Sequence, residues 1–285
     1  MKLVSFTLEQ GNKYFGQIDG TRFFIGSRVS YEGNKGLMNV TGSAGQRYDR
    51  SQFRQKYGFW ADFIHPTAMA EGALYHTLNT YDRARFTFSF LQYAAHVPNG
   101  DFVLYLRALL RSPLAVEYFP DLQLKSNRIA RVADEGIVEL ESDQSTEALM
   151  DYFNPSSREV EDTEVVQAAK MVHWVQNDSI HRDTQVQIGV EHFKAKMSQY
   201  GKQYGLDGKS DTVCLVIADI RHQGRAKSPA IVSALQSANP LDSLLEIGEP
   251  KYHDRLVVIR HEIEMLMQDG TFGHRKYNLA KADFV

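Results

Sequence analysis

The chain carries one cysteine in 285 residues, Cys214, which excludes an internal disulfide framework. Cys214 lies in the apolar run Val213–Ile217, where a thiol acts as a small buried hydrophobe and not as a nucleophile. Long hydrophobic runs are missing too. Every apolar stretch falls well short of the roughly 20 residues that a membrane-spanning helix requires. The N-terminus, MKLVSFTLEQGNKYFG, turns polar too early for the core of a signal peptide, so synthesis in the cytoplasm without a signal peptide is expected. Nor is there an excess of one charge: a net charge of −3 and a pI near 6.4 give no electrostatic reason to expect nucleic acid or an anionic membrane as partner. What remains, 43% hydrophobic and 24% charged residues, is the balance of a globular chain of one large domain or two small ones.

Residues 2–32 alternate in hydropathy and carry the turn signal Asp19-Gly20, which predicts a small β-meander. Residues 33–48 are rich in glycine and read as a loop. From about residue 50 the period becomes helical: Phe53, Tyr57, Trp60 and Ile64 share one helix face. Pro66 opens a further turn, which places Glu71 near its end. Phe86-Thr87-Phe88-Ser89-Phe90 alternates as a strand, with three phenylalanines on one face and Thr87 and Ser89 on the other. Asn99-Gly100-Asp101 starts a helix, Ser112-Pro113 another, and Asp134-Glu135-Gly136 joins a second hairpin. Helices are predicted over 144–152, 162–177, 183–203, 228–237 and 250–268. Asp211 is expected to cap a further, nearly all-apolar helix, and the tail from Gly270 reads as polar. The class is α+β and mainly helical, with a β-rich segment 1–48 ahead of a main domain 49–285.

Chemistry concentrates after residue 70. Glycosidic cleavage needs a protonated acid at the leaving oxygen and, in most enzymes, a second carboxylate across the sugar. Glu71 closes a helix among Met69, Ala70, Gly72, Ala73 and Leu74, an apolar setting that favours the neutral acid. Asp82 follows eleven positions later in a polar loop that suits an ionised carboxylate, although Arg83 and Arg85 offer it salt-bridge partners. Thr87 offers a hydroxyl that could hold a water. Asn79, Tyr81, Gln92, Tyr93 and His96 supply the amides and ring faces of a sugar groove, with packing of the strand–helix junction as the other role for Tyr93 and His96. Asp219, His222 and Gln223 end the apolar helix, either as a closed C-terminal network or facing a cleft.

The order Glu71-Gly72, Asp82, Thr87, then Phe88-Ser89-Phe90-Leu91-Gln92, resembles the lysozyme-like superfamily of phage-type and goose-type lysozymes, chitosanases and lytic transglycosylases. Ile217-Ala218-Asp219-Ile220-Arg221-His222-Gln223-Gly224 is similar to a helix end in the chitosanase-like relatives. The likeness spans about residues 50–260, its specific part being Glu71 to Gln92; Ser89 and Phe90 stand where the strand usually has glycine. The resemblance implies a lysozyme-like helical domain with a small sheet beside its cleft, and a glycoside hydrolase of the muramidase type acting on peptidoglycan. Glu71 would be the general acid, Asp82 the base or stabilising carboxylate and Thr87 the water holder. Asn79, Tyr81, Gln92, Tyr93, Asp219, His222 and Gln223 would bind substrate, and no cofactor is implied. Such an enzyme would act in the periplasm or on the wall after non-classical export, injection or lysis, and an injected toxin implies an inhibitor or immunity protein as partner. The rivals are a chitosanase-like hydrolase, a lytic transglycosylase and a non-catalytic glycan- or protein-binding module.

Other chemistries find little support. His261-Glu262 lacks the second histidine of a zinc-binding helix, since residue 265 is Met. Gly33-Asn34-Lys35-Gly36 lacks the strand–helix context of a phosphate loop, and no nucleophile elbow supports serine chemistry.

Overall fold

A computed structural model describes residues 1–40 and 44–285. About 44% helix and 20% strand make the protein a mixed α+β chain. It divides into two compact units: Met1–Arg47 with Gly72–Ile188, and Tyr48–Glu71 with Gly189–Val285. The chain thus leaves the first unit near the expected boundary at residue 48 but re-enters it at Gly72. Thr41, Gly42 and Ser43, part of the expected loop, lie outside the described residues.

The first unit is built on a seven-stranded antiparallel sheet in sequence order. Its strands are β1 (Ser5–Glu9), β2 (Lys13–Ile18), β3 (Thr21–Tyr31), β4 (Asn34–Met38), β5 (Leu78–Asn79), β6 (Thr87–Phe88) and β7 (Tyr93–Ala94). The β2–β3 hairpin turns at Asp19 and Gly20 with φ of 51° and 78°, the two left-handed residues that match strand twist. β4 corrects the sequence expectation: Asn34–Met38, read as loop, pairs with β3 along its length and with β5 through Met38 and Asn79. Its glycine is a packing requirement, since a Cβ on Gly36 would meet Thr80 and the Tyr81 amide at 2.6–2.7 Å.

The strand expected over Phe86–Phe90 is short, and both of its faces are buried. Phe86, Phe88 and Phe90 are fully enclosed, but so are Thr87 (4% exposed) and Ser89 (0%), which removes the polar face expected for them. Phe86 meets Phe102 and Phe153 in an aromatic core that includes Phe119 and Trp174. A three-stranded sheet, β8 (Leu122–Lys125), β9 (Arg128–Ala133) and β10 (Gly136–Glu139), carries the expected second hairpin. The predicted helix 162–177 matches Asp162–Asn177.

The second unit is helical. The single helix expected from Phe53 to Ile64 is broken into Arg54–Tyr57 and Phe59–Phe63 by Gly58, whose φ of 57° no helix accommodates. Pro66 sits in the first turn of His65–Ala70, and Glu71 is its C-cap residue, as the sequence indicates. In the apolar helix Asp211–Gln223 the N-cap is Ser210, not Asp211. Asp211 instead accepts the backbone N–H groups of Gly273 and Arg275 and so anchors the C-terminal segment. That segment is not a polar tail: β11 (Tyr277–Asn278) and β12 (Asp283–Phe284) form a hairpin. It brings Phe284 against Phe59, Trp60, Phe63 and Tyr277. A helix Pro240–Leu245, absent from the sequence reading, precedes His253–Gln268.

Candidate functional site

The expected site residues fall into two groups, one in each unit. Asn79, Tyr81, Asp82, Thr87, Gln92 and Tyr93 belong to the first; Glu71, Asp219, His222 and Gln223 belong to the second.

In the first unit the sheet register sets Asn79 opposite Thr87. Asp82 closes the turn between them. Its Oδ1 accepts the Ala84 N–H at 2.8 Å and its Oδ2 the Asn79 side-chain amide at 3.2 Å, an Asx arrangement. The arginine partners considered from sequence are engaged elsewhere: Arg85 with Glu147, Asp151 and the Asn154 carbonyl, Arg83 with His96. Tyr81 is half-buried, its ring 6.0 Å from that of Tyr31. Gln92 is half-buried with a left-handed backbone (φ 54°). Tyr93 is enclosed, at 1% exposure, and its hydroxyl donates to the Gln185 carbonyl at 2.6 Å, so it is a core residue where a groove residue was expected.

In the second unit Glu71 ends a chain of charges. Arg255 Nη1 donates to Glu71 Oε1 at 2.5 Å, while its Nη2 donates to Asp219 Oδ1 at 2.7 Å. Arg225 Nη1 donates to the other Asp219 oxygen at 2.6 Å, and the Thr67 hydroxyl adds a bond to Oδ1 at 3.1 Å. The side chains of Asp219 and Arg225 are fully enclosed; those of Arg255 and Glu71 retain 10% and 11% exposure. Alternation of sign is what makes such burial tolerable, since an unpaired buried charge costs several kcal/mol. Burial acts to raise the Asp219 carboxyl, but Arg255 and Arg225 outweigh it and hold the group below its ordinary value. Burial likewise opposes the charge of Arg255, and Asp219 and Glu71 outweigh it, holding the guanidinium above its ordinary value.

His222 stands beside the outer end of this network, its Nε2 4.0 Å from Glu71 Oε1. Its ring packs on Phe193 (5.5 Å) and edges His192 (6.4 Å), whose imidazole is pushed down to about 4 by burial and by His222. Gln223 Oε1 is buried with no hydrogen-bond partner among the described residues. A cavity of about 430 Å³, lined by Pro250, Lys251, Tyr252, His253, Asp254 and Arg255, opens on the same arginine.

Sequence reasoning therefore found Glu71, Asp219 and His222, which the fold brings together, and missed Arg255, Arg225 and Thr67, which join them. Arg255 lies 184 positions from Glu71 in a charged helix, with no local feature to single it out. Among the described residues no group of three or more His, Cys, Asp or Glu is arranged to hold a metal ion, and no helix is long and apolar enough to cross a membrane. Comparison of the chain with protein-family models, curated proteins and solved structures finds no match.

Proposed function

We propose that the protein is a glycoside hydrolase with a lysozyme-like catalytic arrangement, cleaving an aminosugar polymer, first of all peptidoglycan, with Glu71 as general acid. The observation that carries this reading is the position of Glu71. It is a barely exposed carboxyl at a helix end, held at the outer end of the Arg225–Asp219–Arg255 network. Arg255 is fixed mainly on Asp219, so its guanidinium need not follow Glu71 when that carboxyl takes up a proton. When Glu71 gives the proton to the leaving oxygen, the carboxylate left behind is stabilised by Arg255 at once. The cavity that opens on Arg255 is within the size range of small-molecule sites.

Removal of the acid tests the reading. Glu71→Gln is expected to lower peptidoglycan cleavage about 10²–10⁴-fold, the usual contribution of a general acid. Mass analysis of the fragments separates the enzymatic alternatives: reducing ends on muramic acid mark a muramidase, anhydro ends a transglycosylase. Unchanged cleavage by Glu71→Gln would remove Glu71 from the chemistry. Asp82→Asn, assayed in parallel, reads out the second carboxylate; retained cleavage there would point to a mechanism without one.

One observation favours a second reading. A carboxylate tied to arginine is also what a purely structural charge looks like, and on that reading the chain is a non-catalytic glycan- or protein-binding module. Binding of wall fragments without release of any product by the wild type would select it.

A further inference from the structure

We draw no further inference here: the strongest candidate, the cavity at the N-terminal end of the helix His253–Gln268, opens on Arg255 and so belongs to the site already described.

Discussion

At the scale of single residues, the protein places charge where water does not reach and compensates it in two different ways. Asp219 is held ionised by two arginines. Among the described residues Glu164 meets no cation: Thr80 donates to its Oε1, its Oε2 is buried with no partner among them, and burial pushes the carboxyl up to about 8. The folded chain therefore keeps a proton that the unfolded chain, at the ordinary value of 4.5, releases. Stability from this group is fully present below about pH 4.5 and is lost as pH rises through about 8. Between pH 5 and 8 the midpoint of urea unfolding should fall in the wild type, and the fall should be smaller in Glu164→Gln. Equal slopes for the two proteins would show that Glu164 is not held protonated. Legibility differs among these residues. Glu71 could be picked out from its apolar neighbours and helix-end position, but nothing around Glu164 distinguishes it from the other acids of a helix first turn.

Among the elements, the C-terminal hairpin contributes more than its composition suggests. Phe284 is 6% exposed and packs on four aromatic rings, while the Trp60 indole N–H donates to Asp283 at 2.8 Å. Phe284→Ala should cost about 3–5 kcal/mol, the range for removing a large buried aromatic, measured as a lower midpoint in chemical denaturation. A loss under about 1 kcal/mol would mean that the hairpin adds little to the unit. The sequence reading missed this hairpin because its apolar residues, Phe272, Tyr277 and Phe284, stand too far apart to set up a period. It missed β4 for a related reason: glycine within a strand reads as a break until the close approach to Thr80 that requires it is seen. The helix Asp162–Asn177, with acidic residues in its first turn and an apolar stripe, was legible because its signals lie within one or two turns of each other.

For the whole molecule, both units are discontinuous in sequence, and this constrains how the chain can be divided. Residues 1–47 supply β1–β4, and β4 pairs with β5 after the chain has passed through the second unit. A chain shortened to residues 49–285 would expose the edge of β5 and remove Leu37, whose N–H donates to Thr80 beside Glu164. It is expected to lose the dispersed amide spectrum of the first unit in NMR. A native-like spectrum would show that β5–β7 and the aromatic core hold without the meander.

The sequence by itself determined the mixed class, the N-terminal meander, the second hairpin, most helices, and Glu71 at a helix end. Each of these is written in periodicity, turn residues or caps within a few positions of one another. Tertiary structure alone decided which charges meet. Arg255 reaches Glu71 across 184 positions and Asp219 across 36. It also decided that Thr87 and Tyr93 are enclosed, and that Glu71 and Asp82 belong to different units. Ion pairs and burial depend on what the fold brings near, and a local pattern carries no record of that.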